Sequence, residues 1–215
     1  MIIKVCGMRE PNNIRALCQI DGIDLMGLIF FKKSPRYVLP TATLEFPAKH
    51  PKLVGVFVNE MPQNIITQVI NHRLDYIQLH GTESPEYIDK LRHAIVPDIL
   101  PDIKIIKAIS VREADDVKRW REYAGHADLL LFDTKSKLVG GSGEQFDWSV
   151  LEQYNGNIPF LLSGGIGPED AERLSQFRHP QCIGIDLNSR FETAPALKDT
   201  EALKSFVTKL KTTKQ

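Results

Sequence analysis

Short, nearly unbroken apolar runs recur along the chain at residues 2–6, 25–30, 53–58, 76–79, 103–109, 129–132, 160–162 and 183–187. Runs of this length without polar alternation predict strands whose two faces are both buried, as in a parallel sheet covered by helices. The intervening segments 12–20, 62–73, 84–95, 112–123, 168–177 and 195–210 have the amphipathic spacing of helices. Asn64 or Ser84 can act as a cap, and Ser84-Pro85-Glu86 puts proline at a first helical position. Residues 41–51 hold two prolines and only weak helical patterning, so a second helix there is expected to be short or irregular.

Lys4 to Gly184 is 180 residues, or seven repeats of about 26. That is the scale of a minimal strand-plus-helix unit, so the chain predicts an α/β fold: one (β/α)₈ barrel domain over residues 1–215. An open doubly wound sheet is the competing architecture. It usually has five or six strands, and the first run here lacks the G-x-G-x-x-G turn.

The active site of such a barrel lies at the carboxyl ends of its strands. Polar residues just past each run are therefore the candidates: Cys6, Ser34 to Tyr37, Asn59, Gln78 to His80, Lys107 and Ser110, Asp133, Ser163 to Gly165, and Asp186 to Arg190. Ser163-Gly164-Gly165 and Asn188-Ser189 stand at the two turns where barrels often bind phosphate. Glycine lets backbone N–H groups approach an anion, and a following helix start adds favourable dipole. The bland alternative is a pair of tight turns; both together favour a phosphorylated small molecule. Gly140-Gly141-Ser142-Gly143 reads equally well as a lid and as a plain connector.

Cys6 and Asp133 end the first and sixth runs and would flank a ligand as an acid/base pair. Cys6 is expected to be exposed beside Gly7, with its pKa drawn towards neutrality by nearby positive charge. Lys4 is one source of that charge, or else a structural residue. Cys18 and Cys182 read as small buried hydrophobes. Asp133 as an acid needs partial desolvation; as a structural residue it would cap or pair.

Composition narrows the field. Lys plus Arg and Asp plus Glu are 27 each, for a net charge of zero, which disfavours sequence-independent nucleic-acid binding. Three widely spaced cysteines suggest neither a disulfide framework nor a metal site. With no apparent secretory signal or membrane-length apolar stretch, a reduced, cytoplasmic protein away from membranes is expected.

Seven motifs complete the reading. Lys4-Val5-Cys6-Gly7, Ser34-Pro35-Arg36, Gln78-Leu79-His80-Gly81, Leu131-Phe132-Asp133-Thr134, the stretch from Gly140 to Trp148, Leu162-Ser163-Gly164-Gly165-Ile166, and the stretch from Gly184 to Glu192 occur in the order seen in phosphoribosylanthranilate isomerases. The chain resembles that family along essentially its whole length. The resemblance implies a cofactor-free and metal-free Amadori rearrangement in tryptophan biosynthesis. It implies Cys6 as general base, Asp133 as general acid, Arg36 on the anthranilate carboxylate, and Gly164, Gly165, Asn188 and Ser189 on the phosphate. Arg190 departs from the pattern, since many relatives have a smaller residue there. Indoleglycerol-phosphate synthase would be expected to carry an N-terminal extension and further catalytic Lys and Glu residues. The histidine-pathway isomerase would be expected to have Asp in place of Cys6. A barrel that only binds a metabolite is the alternative of a different class. Monomer and homodimer both remain open.

Overall fold

In a computed structural model of the protein, residues 1–39, 41–95, 102–134 and 147–212 are described. Among them, eight parallel strands close into a barrel in chain order: β1 (Ile2–Val5), β2 (Leu25–Ile29), β3 (Lys52–Phe57), β4 (Tyr76–Leu79), β5 (Lys104–Val111), β6 (Leu129–Thr134), β7 (Phe160–Leu162) and β8 (Cys182–Leu187). The β1–β8 pairing closes the ring, with Lys4 opposite Asp186 and Val5 opposite Leu187. Closure removes both sheet edges and excludes the open sheet.

The strands read as unbroken apolar runs because each has two buried faces. Along β6, Leu129 and Leu131 pack inside the barrel with Leu25, Val54, Ile106 and Leu161. Leu130 and Phe132 pack outside, in the layer under the helices. The period of two then turns Asp133 inward, at the open end of the barrel. On β5, Ile106 and Ala108 face the interior, so Lys107 faces the helices. Lys107 therefore points away from the barrel mouth, unlike the strand-end candidates Cys6 and Asp133.

The outer layer is made by α1 (Pro11–Leu17), α2 (Pro62–His72), α3 (Pro85–Ile95), α4 (Ala114–Val117), α5 (Ala171–Gln176) and α6 (Thr200–Thr212). Helix α2 buries Ile65 and Val69 and ends at Arg73 in a left-handed conformation. Helix α3 starts as expected: Ser84 Oγ accepts from Tyr87 N at 3.2 Å, with Pro85 in the first turn. Asn64 does not cap. It sits inside α2, where its side-chain amide donates to Glu60. No helix among the described residues is long and apolar enough to cross a membrane.

Several expected helices change character. Residues 41–51 form no helix among those described; Pro47 and Pro51 each lack an N–H, while Leu44 and Phe46 still pack against the core. The expected helix 112–123 becomes α4 followed by a 3₁₀ segment, Lys118–Tyr123. The helix after β7 opens with a 3₁₀ turn, Pro168–Asp170. The last helix does not begin at Pro195. Pro195 and Ala196 turn a small hairpin, β9 (Glu192–Ala194) with β10 (Leu197–Lys198), and α6 starts after Asp199, whose Oδ1 accepts from Ala202 N.

Candidate functional site

The carboxyl ends of the strands surround an open cavity. Cys6, Arg36, Asp133, Gly164, Gly165, Asn188 and Ser189 all line it, so the residues singled out in the sequence do converge. His80, Gln78, Asp186 and Arg190 join them on the wall. The stretch Gly140 to Gly143, read as lid or connector, lies outside the described residues.

Cys6 differs from expectation in two ways. It is buried, at 3% exposure, rather than exposed. Burial also pushes its thiol above the ordinary value; Lys4 and Lys198 oppose this, and Asp186 adds to it. Room for the sulfur comes from β2, where a side chain at Gly27 would lie 2.7 Å from Cys6 Sγ. Beneath it, Lys4 donates to Asp186 at 2.8 Å, both side chains nearly sealed from solvent. Burial works against the Lys4 ammonium, but Asp186 and Cys6 outweigh it and hold its pKa above the usual range, while burial pushes the Asp186 carboxyl up against the pull of Lys4.

Asp133 is almost buried and well supplied with donors. Its Oδ1 accepts from Thr134 N at 2.9 Å and from Ser163 Oγ at 3.3 Å. His80 Nε2 lies 3.2 Å from Oδ2. Gln78 in turn reaches His80 Nδ1 at 2.9 Å.

Arg36 reaches the cavity already held. Its Nε and Nη2 donate to the two carboxylate oxygens of Glu192 at 2.6 to 3.0 Å, a fork-on-fork pair. Lys198 also donates to Glu192, and to Asn188 Oδ1 at 2.9 Å. Burial works to raise the Glu192 carboxyl, but Arg36 and Lys198 outweigh it and hold it below the ordinary value.

The turn after β7 places Gly164 and Gly165 at φ 90° and 64°, the left-handed region where glycine is favoured. A side chain at Gly164 would also press on Thr134 N at 2.8 Å. The helix start beyond it is partly self-capped, since Gly167 N donates to Asp170 Oδ2 at 2.7 Å. Across the mouth, Arg190 pairs with Glu169 and so ties the turn after β8 to the turn after β7.

Sequence reasoning assigned no role to Gln78, His80, Asp186, Glu192 or Lys198. Three of these five carried a usable signal in their spacing: Gln78 and His80 sit two apart at a strand end, as Asp186 does with Asn188, and so share the interior face. Glu192 and Lys198 come from a hairpin that the apolar pattern does not announce. Lys107 is not in the site. It is sealed behind the sheet, donating to Glu83 at 2.9 Å and to the carbonyls of Leu79 and Gly81.

A family model described as N-(5'phosphoribosyl)anthranilate (PRA) isomerase matches residues 3–209. The chain belongs to this family. It is 46% identical over 211 residues to an N-(5'-phosphoribosyl)anthranilate isomerase of Parabacteroides distasonis, covering 96% of this chain and 92% of that protein. To the protein of the same name from Phocaeicola vulgatus it is 47% identical, with 98% of each covered. Among solved structures it is similar to phosphoribosyl anthranilate isomerase of Thermotoga maritima, with TM-score 0.80, 31% identity, and 99% and 100% coverage. It is also similar to a family enzyme solved with reduced 1-(o-carboxyphenylamino)-1-deoxyribulose 5-phosphate, with TM-score 0.77, 28% identity and the same coverage.

Proposed function

We propose that the barrel mouth isomerises N-(5'-phosphoribosyl)anthranilate to 1-(2-carboxyphenylamino)-1-deoxyribulose 5-phosphate, in the cytoplasm, with Cys6 and Asp133 as its base and acid. One observation supports this most: the two residues enter a single cavity from β1 and β6, with β7 and β8 between them on the shorter way round the barrel. Substrate lying over those two strands has one group on each side.

In this reading Asp133 delivers a proton to the furanose oxygen as the bond from C1′ to that oxygen breaks. The anilino nitrogen supplies the electron pair, leaving a protonated imine. The Cys6 thiolate takes the proton from C2′, and the resulting enolamine tautomerises to the ketone. Two positioned groups in opposite protonation states suit this shuttle. The 2.8 Å pair of Lys4 with Asp186 puts a cation under the sulfur where thiolate charge must form. Arg36 offers the anthranilate carboxylate the side of its fork that Glu192 leaves open. The phosphate lies against the turns at Gly164-Gly165 and Asn188-Ser189.

The test is loss of phosphoribosylanthranilate fluorescence, with Cys6→Ser and Asp133→Asn compared to the native enzyme. Each is expected to lose ~10²–10⁴-fold in kcat, the usual worth of a positioned acid or base. A folded variant with near-native kcat would remove that residue from the mechanism.

A further inference from the structure

The proposed acid stands at the end of a row of polar side chains running along the barrel mouth from β4 to β6, joined by one hydrogen bond and one close imidazole–carboxylate contact. Gln78 is 1% exposed, and its Nε2 lies 2.9 Å from His80 Nδ1. With the amide nitrogen turned to the ring, Nδ1 is the acceptor, which assigns the imidazole proton to Nε2. His80 Nε2 in turn lies 3.2 Å from Asp133 Oδ2. The amide thus meets one side of the imidazole, and the carboxylate lies within ion-pair distance of the other. It comes at a cost to Gln78, whose Oε1 is buried with no hydrogen-bond partner among the described residues. A buried unpaired carbonyl in a native fold calls for an explanation, and here the same amide uses its other end to fix a tautomer beside the reacting group.

We propose that His80 is a positioning residue for the acid: with its tautomer set by Gln78, its Nε2–H holds the Asp133 carboxyl towards the substrate and stabilises the carboxylate left after proton delivery. This rests on Asp133 being the acid. The groups around the carboxyl fall on its two oxygens, with the Ser163 hydroxyl also reaching Asp186 Oδ2 at 3.4 Å. Thr134 N and Ser163 Oγ take Oδ1, and His80 takes Oδ2. The two oxygens are thereby distinguished, and the plane of the carboxyl is fixed by groups from β4, β6 and β7. The other charged group facing His80 and Asp133 is Asp186 on β8, which is already committed to Lys4. His80 is therefore the side chain that supports Oδ2 independently of that ion pair, as the Thr134 backbone N–H supports Oδ1.

The role is confined to proton delivery, so it should move kcat and leave KM alone. His80→Leu removes the donor and is expected to lower kcat by ~10- to 100-fold, the usual range for a hydrogen bond to a charged group. His80→Gln can present an N–H near the former Nε2 and should recover much of that loss. Gln78→Leu should lower kcat more mildly by freeing the tautomer. In an Asp133→Asn background, His80→Leu should cost little more. Nitrogen-15 NMR of the native protein gives a reading that needs no variant: the Nε2–H tautomer is expected at His80. An Nδ1–H tautomer in the native protein, or native kcat in folded His80→Leu alongside an inactive Asp133→Asn, would overturn the inference alone. Native kcat in Asp133→Asn would instead overturn the acid assignment beneath it.

Discussion

Cys6 sits among two lysines and an aspartate, and these fix the direction in which its titration can be moved. Burial raises the thiol pKa; Lys4 and Lys198 lower it, and Asp186 raises it. A base works in its deprotonated form, so activity limited by Cys6 rises as pH climbs through this pKa. Lys4→Met removes a cation, so the thiol pKa should climb further and the rise in kcat/KM should move to higher pH. Asp186→Asn leaves Lys4 charged and unpaired beside the sulfur, so the rise should move to lower pH. Thiolate absorbance in a Cys18→Ser, Cys182→Ser background checks both shifts directly. Shifts in the same direction, or none, would mean the lysine–aspartate pair does not act on the thiol. At this scale the sequence was informative about which residues gather and silent about their surroundings. Cys6 and Asp133 were legible because strand ends are legible. The burial of Cys6 was not, because it depends on Gly27 of the neighbouring strand leaving room for the sulfur. His80 stood in view at a strand end, but its partner lies on a strand two places further round the barrel.

Among the elements, the hairpin of β9 and β10 is the one that the apolar pattern concealed. Its strands are three and two residues long, and only Lys198 is fully buried. Glu192 from its first strand grips Arg36, and Lys198 from its second braces Glu192 and Asn188. The hairpin thus reaches two groups proposed to hold opposite ends of the substrate. Arg36→Ala should raise KM by about one to two orders of magnitude, from the loss of a charge-assisted bidentate contact. Glu192→Gln keeps one acceptor for Arg36 but loses the charge and the symmetric fork. It should raise KM by roughly tenfold while kcat changes little. In an Arg36→Ala background the Glu192→Gln effect on KM should shrink sharply, because residues acting through one contact are not additive. Undiminished effects in the double variant would mean that Glu192 acts on the substrate by another route. The remaining element-scale differences have local causes. Pro195 looked like a helix start because proline suits a first helical turn, yet it also suits a tight turn, and Asp199 supplies the true cap.

For the molecule as a whole, barrel closure was readable from eight apolar runs at near-even spacing. What the runs did not reveal is which way Lys107 points, since parity along a strand must be counted from a residue known to face inward. Lys107 faces outward, where its ammonium and the Glu83 carboxylate are both about 1% exposed. Glu83 also accepts from Asn59 N and Gly81 N, and Lys107 donates to the carbonyls of Leu79 and Gly81. One buried pair therefore binds the connections after β3 and β4 to strand β5, on the far side of the sheet from the cavity. Its function is to hold the barrel's rim together, and its loss should be felt in stability rather than turnover. Lys107→Ala strands a buried carboxylate, which costs about 3–5 kcal/mol. For a chain of this size each kcal/mol lowers Tm by roughly 2–4 °C, so a fall of roughly 6–20 °C is expected. Lys107→Met with Glu83→Gln removes both charges but keeps an acceptor for the two backbone N–H groups, and should recover part of that loss. Measured well below the melting transition, kcat of either variant should stay near native. Calorimetry paired with the fluorescence assay separates the cases: a collapse of kcat at unchanged Tm would return Lys107 to the active site, against the side of the sheet on which it lies.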